Sequence, residues 1–225
     1  MSKIEIVPAI LVKDKEDFAA KIAAVSQHVS RVQIDIMDGK FVPNETLAPE
    51  KFPSIPSHLL VEYHLMVQQP LDFVRRIGKK GAIYELHIES LNDPASAIAA
   101  VKKMGGRVAL AISPDTPVSA VAPYLPQVEH VLVMTVYPGF SGQKYLPAME
   151  EKMRQLSKMG AIVEVDGGVG MGSARTAAAA GATLLGVASA IFAQPDVAKA
   201  IKDVKRDAET GAKACAGAKK GAEGK

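Results

Sequence analysis

The chain predicts a single closed α/β barrel of eight parallel strands, the (β/α)8 or TIM barrel. Three observations predict it. Short runs rich in Val, Ile and Leu alternate with longer helical stretches, the pattern of repeated βα units. Eight such runs can be counted, which suits a closed ring better than an open sheet. No Gly-x-Gly-x-x-Gly follows the first run, so the doubly wound dinucleotide fold lacks its fingerprint. A length of 225 residues is ordinary for one barrel.

The strand candidates are residues 4–10, 32–37, 59–66, 83–88, 108–112, 130–135, 162–165 and 184–187. The second is the most informative. Val32, Ile34 and Ile36 alternate with Gln33 and Asp35, and side chains two apart share a face. A carboxylate in a strand interior is costly to bury unless something binds or uses it. Helical stretches fall at 15–27, 70–79, 94–104, 145–158 and 173–180. Pro70 and Pro94 stand at first-turn positions, where a missing N–H is harmless. Gly105, Gly106, Gly160 and Gly181 follow helical stretches, where C-terminal glycines belong. The barrel is expected over 1–205. Residues 206–225 are rich in Ala, Gly and Lys without an apolar period, and read as a frayed helix end passing into disorder.

Composition excludes several functions. That tail holds five basic and three acidic residues, so it carries two of the three net positive charges and leaves the body near neutral. No basic stripe with interleaved aromatics is present, which argues against a nucleic-acid partner. No run approaches the ~18–20 apolar residues of a membrane helix. Lys3 and Glu5 interrupt the first apolar segment, so no signal peptide is read. The lone Cys215 excludes an internal disulfide framework. A cytoplasmic protein without membrane attachment is expected, and exposed barrel helices allow pairing into a homo-oligomer.

Barrel active sites lie at the C-terminal strand ends. The polar residues there are Gln33, Asp35 and Asp38 on strand two, His64 on three, His87 and Glu89 on four, Thr135 on six, and Glu164 and Asp166 on seven. Asp35, His64 and Asp166 stand out as ionisable groups ending apolar runs. Any one alone reads equally well as a structural residue bonding a loop N–H; three converging on one mouth read as a site. A second constellation suits phosphate. The loop Pro138-Gly139-Phe140-Ser141-Gly142-Gln143 follows strand six, Gly167-Gly168 follows seven, and Ala188-Ser189-Ala190 follows eight. Glycines let backbone N–H groups approach an anion closely, and barrels commonly bind phosphate after strands seven and eight. Met37, Met66 and Met134, at three strand ends, suit a water-excluding ring around a reacting centre as well as simple core filling.

These residues resemble the ribulose-phosphate 3-epimerase family from about Val7 to Asp196. The carriers are Pro8-Ala9-Ile10-Leu11, Asp35-Ile36-Met37-Asp38-Gly39, Phe41-Val42-Pro43-Asn44, His64-Leu65-Met66, the segment from Met134 to Gln143, Glu164-Val165-Asp166-Gly167-Gly168-Val169 and Ser189-Ala190-Ile191-Phe192. The resemblance implies a divalent metal at the barrel mouth, held by two His and two Asp, with both Asp also serving as acid and base. Asp35 and Asp166 take those roles, and His64 is a metal ligand expected also to touch substrate. Gly139, Gly142, Gly167, Gly168 and Ser189 take the phosphate contacts, with Phe140, Ser141 and Ala188 beside them. The implied reaction interconverts D-ribulose 5-phosphate and D-xylulose 5-phosphate through an enediolate. The departures cluster at the site. The family has His where Gln33 stands, Ser for Ala9, Asn for Tyr137 and Gly for Ala188. An amide at position 33 is expected to weaken a zinc site or to favour a harder ion such as manganese, iron or magnesium. The rival readings are an epimerase for another ketose phosphate with altered metal need, and a sugar-phosphate-binding protein without turnover. The related barrel decarboxylases and synthases carry Asp-x-Lys-x-x-Asp, which the run from Asp35 to Asp38 lacks.

Overall fold

The computed structural model describes residues 3–222, with side chains through residue 213. Strands β1 (Glu5–Ile10), β2 (Arg31–Met37), β3 (Leu60–Met66), β4 (Ile83–His87), β5 (Arg107–Ile112), β6 (Val131–Met134), β7 (Val163–Asp166) and β8 (Leu184–Val187) pair in that order. All pairs are parallel, and β8 returns to β1 to close the barrel. The helices are α1 (Lys15–Val25), α2 (Pro70–Ile77), α3 (Pro94–Lys103), α4 (Glu150–Lys158), α5 (Ser173–Ala179), α6 (Ser189–Phe192) and α7 (Val197–Ala222). Asp14 caps α1 by accepting from Asp17 N at 2.8 Å, and Asp93 caps α3 through Ser96 N. Two crossovers lack an α-helix. The path from β2 to β3 has one 3-10 turn, Pro49–Lys51, and the path from β5 to β6 has two, Val118–Ala120 and Ala122–Gln127. Pro117, Pro123 and Pro126 remove the N–H groups a longer helix would need there.

Packing follows the strand alternation. Val32, Ile34 and Ile36 are buried in the layer between barrel and helices, with Phe18 and Val25 of α1, Ile98 and Val101 of α3, and Met153 and Leu156 of α4. The barrel interior, by contrast, is polar through two storeys. The lower storey joins Glu62, Glu85, Glu164 and His130, all buried. His130 Nε2 lies 2.8 Å from both Glu85 Oε1 and Glu164 Oε2, and Arg31 donates to Glu62. Burial, then the charge of Glu164, holds Glu62 and Glu85 well above the usual carboxylate range, so protons neutralise part of this cluster. The sequence reading singles out neither Glu62, Glu85 nor His130.

The C-terminal segment departs from expectation. Chain order does not change at residue 206, because α7 runs on through it. Asp207 and Ala208 are buried, and Asp207 accepts from Gly172 N at 2.7 Å, Arg175 N at 3.2 Å and the Arg175 guanidinium at 2.7 and 2.9 Å. A Cβ at Gly211 would sit 1.9 Å from Arg175 O, so only glycine lets α7 cross α5 this closely. The part of the expected tail beyond residue 213 lies outside the residues whose side chains are described. Among the described residues, no helix is long and apolar enough to cross a membrane.

Candidate active site

The upper storey of the barrel is built by register. Parallel pairing sets Asp35 opposite His64, His64 opposite Glu85, and Asp166 between Met134 and Gly186. Asp35, His64 and Asp166, expected to converge, do so: one donor atom from each lies within 4.8 Å of the other two. His64 Nδ1 is 3.1 Å from Asp35 Oδ1 and 3.7 Å from Asp166 Oδ2. Gln33 completes the group. Its Nε2 donates to Asp35 Oδ1 at 2.7 Å and to Asp166 Oδ2 at 3.0 Å, and lies 3.3 Å from His64 Nδ1. Its Oε1 is buried without a hydrogen-bond partner. Each aspartate thus commits one oxygen to the amide.

A chain of hydrogen-bonding side chains lies behind them. His64 Nε2 approaches His87 Nε2 at 2.9 Å, and His87 Nδ1 approaches Glu89 Oε2 at 3.2 Å. Burial opposes charge on His64, but the hydrogen bond to Asp35 and the charges of Asp35, Glu85 and Asp166 raise its pKa to about 9. Burial, with the charged His64 beside it, keeps His87 below the ordinary imidazole value despite Glu89. These shifts favour an imidazolium at His64, able to donate to Asp35 and His87, beside a neutral His87 that donates to Glu89. Glu89 resists the effect of burial through His87, Thr116 and Ser113 N, and is held at about 2. Sequence reading named His87 and Glu89 but gave them no role, since a histidine ending one strand does not disclose its contact with a histidine on the next. Burial, then the charge of Asp35, raises Asp166 to about 6.

Above this floor opens a cleft. Asp35 and Asp166 line it, with Met37, Met66 and Met134, Gly139 to Gln143, Gly167, Gly168, Ala188 and Ser189. All but one of the expected contact residues thus face one space. The exception is His64, which has no accessible surface and lies behind the carboxylates, outside the lining of the cleft. The glycine loops are held rigidly. Gly167 has φ +115° and Gly168 φ +66°, and a Cβ on Gly168 would lie 2.5 Å from Tyr145 N and 2.8 Å from Gln143 O. Asn44 Nδ2 donates to Gly139 O at 2.7 Å, and Gln143 Nε2 ties Tyr137 O and Phe140 O. Of the departures from the family pattern, Ala9 is buried and in register with Gln33, while Tyr137 is exposed and donates to Asp115.

The floor fits a divalent ion on one condition. Neighbouring ligands about an ion with bonds of ~2.0–2.2 Å lie roughly 3–3.5 Å apart, and the atoms here are spaced 2.7–3.7 Å from one another where they touch. The inward amide atom is a donor, however, and the oxygen that would ligate is the orphaned one. Coordination by all four residues requires the amide to turn. The lower cluster of Glu62, Glu85, His130 and Glu164 is the other described group with metal-ligand spacing.

Comparison with known proteins gives a consistent picture. A sequence model of the ribulose-phosphate 3 epimerase family matches residues 5–192. The chain is 37% identical over 215 residues to the ribulose-phosphate 3-epimerase, cytoplasmic isoform, of Oryza sativa subsp. japonica, covering 91% of this chain and 94% of that one. It is 40% identical over 185 residues to the ribulose-phosphate 3-epimerase of Methanocaldococcus jannaschii, covering 78% of each, and 32% identical over 213 residues to that of Bacillus subtilis, covering 90% and 98%. Among solved structures, 3-hexulose-6-phosphate synthase from Salmonella typhimurium superposes with a TM-score of 0.65 at 16% identity, over 92% of this chain and 100% of that one, which shows the shared barrel fold.

Proposed function

This chain belongs to the ribulose-phosphate 3-epimerase family, and from that membership and the barrel mouth we propose that it interconverts D-ribulose 5-phosphate and D-xylulose 5-phosphate by moving a proton at C3. The observation that carries the reading is the pair Asp35 and Asp166: they come from strands far apart around the ring, line one cleft, and each keeps an oxygen uncommitted to Gln33. Inverting a carbon beside a carbonyl needs one group to take its proton from one face and another to return a proton to the opposite face. One aspartate serves as base and the other, protonated, as acid; the reverse reaction exchanges the roles. A pKa of about 6 at Asp166 keeps both its forms accessible near neutrality.

The rest of the cleft orients and shields. The glycine-rich loops after β6, β7 and β8 hold the phosphate with backbone N–H groups. Met37, Met66 and Met134 surround the reacting carbon with side chains that neither donate nor bring water. His64 holds Asp35 from behind, and Gln33 holds both carboxylates. Were a divalent ion bound, Asp35, His64, Asp166 and a turned Gln33 would hold it, and it would supply positive charge beside the developing enediolate. With three oxygen donors and one nitrogen, that set favours manganese, iron or magnesium over zinc.

The test is exchange of the substrate C3 hydrogen with deuterated solvent, followed by NMR. Asp35→Asn and Asp166→Asn should each slow exchange by about 10²–10⁴. Exchange undiminished in both variants overturns the two-carboxylate assignment.

A further inference from the structure

The most unusual group in the barrel is the one that departs from the family pattern at its centre. Gln33 Nε2 places its two hydrogens toward two different carboxylates, 2.7 Å from Asp35 Oδ1 and 3.0 Å from Asp166 Oδ2. Chemistry fixes which end of the amide faces in. With Oε1 inward and both aspartates ionised, an acceptor would face two carboxylate oxygens at hydrogen-bond distance with no proton between them. With the NH2 inward both carboxylates accept, at the expense of one orphaned oxygen. A neutral imidazole at the same place has one N–H and can bridge only one of the pair. A primary amide is therefore a side chain that can join two carboxylates without an ion.

We propose that Gln33 is a built-in crosslink between Asp35 and Asp166 that stands in for the divalent ion, so that the acid–base pair stays positioned and works in the metal-free protein. The proposal rests on the epimerase reading above. It makes Gln33 a positioning residue: Gln33 lies beneath the cleft lining, fully buried, and acts through the two aspartates. Ligation of an ion by Gln33 and the crosslink exclude each other, because that ligation needs Oε1 where Nε2 now stands. A four-residue site must break both amide hydrogen bonds, and without it an ion has only three protein ligands, so the wild-type chain binds ions weakly and gains little from them. The small Ala9, in register with Gln33, is compatible with an amide that reaches across the floor and not toward β1.

The experiment compares wild type, Gln33→His and Gln33→Leu, each stripped with chelator and then re-equilibrated with Mn²⁺ or Zn²⁺. Far-UV circular dichroism confirms folding. Three quantities are read: metal per chain by mass spectrometry, the shift of thermal midpoint on adding ion, and C3 exchange. Stripped wild type should keep its exchange within about threefold of the ion-treated sample, retain substoichiometric metal and show no thermal shift. Gln33→His should bind ion stoichiometrically, gain thermal stability from it, and lose exchange by about 10²-fold or more when stripped. Gln33→Leu, with neither crosslink nor fourth ligand, should exchange slowly in both states. If stripped wild type loses exchange and recovers it with ion, the crosslink is overturned while the epimerase reading stands. If no form exchanges under any condition, the epimerase reading falls. Metal content and thermal shift then still decide the crosslink, which fails if wild type takes up ion as readily as Gln33→His.

Discussion

Asp207→Ala should destabilise the barrel by about 1–3 kcal/mol, although it lies far along the closing helix. The figure follows from what Asp207 holds. One acceptor, Asp207 Oδ2, vanishes for two N–H groups, those of Gly172 and Arg175 at the start of α5. Losing a helix-capping acceptor costs about 0.5–2 kcal/mol, and because Gly172 and Arg175 are exposed, water can reach the freed donors. The Arg175 guanidinium is more than half exposed, so its ion pair adds about 0–1 kcal/mol. The control is Arg175→Ala, which keeps the backbone contacts and should lose less than about 1 kcal/mol. Urea unfolding followed by circular dichroism reads both variants. Gly168 and Gly170 run directly into this helix start, and Ser173 Oγ donates to Gly168 O at 3.1 Å. Asp207→Ala should therefore also raise KM for the phosphorylated substrate more than it lowers kcat. An Arg175→Ala variant as unstable as Asp207→Ala would show that the ion pair matters and the backbone capping does not.

Other perturbations test other parts of the molecule. Gly168→Ala forces a side chain into φ +66° and against Tyr145 N; strain of about 1–2 kcal/mol plus loop displacement should raise KM by about tenfold, and an unchanged KM removes Gly168 from the phosphate cradle. Burial and then Asp35 raise Asp166 to about 6, so Asp35→Asn should lower the Asp166 midpoint in a carboxyl ¹³C NMR titration; a midpoint that stays or rises refutes the coupling. Glu62 and Glu85 are raised, Asp166 titrates at about 6 and His64 at about 9. Each keeps a proton in the folded state that the unfolded chain has released, so metal-free stability should fall as pH rises from 5 to 9. The urea midpoint at pH 9 should lie below that at pH 6, and Glu85→Gln should flatten the slope; a midpoint that climbs over this range contradicts the protonated lower storey.

How much could be read from sequence depended on whether a residue's partner lay within the same strand. The β2 pattern disclosed that Gln33 and Asp35 share a face, and the strand-end rule brought Asp35, His64 and Asp166 together. The amide bridge was hidden because it joins Gln33 to Asp166 across 133 positions, and only barrel closure brings them close. Glu62 and Glu85 were passed over for a related reason: alternation marks a polar residue as facing away from the helices, and an interior filled with carboxylates looks in sequence like a solvent face. Residues 206–213 were misread because Ala, Gly and Lys supply no apolar stripe. What fixes that stretch is Asp207 and the bare backbone of Gly211 against α5.

The residues proposed to move protons all stand on strands, whereas those proposed to grip the substrate stand on loops or at the first residue of α6. Asp35 and Asp166 are therefore registered by ladders that run around the whole barrel, and the segment 138–143 can change length or composition without shifting them. The two tasks can drift at different rates. A lineage could exchange one phosphorylated substrate for another by loop replacement alone and inherit its chemistry intact, whereas altering the chemistry would require repacking a closed ring whose floor is a single network of shared protons.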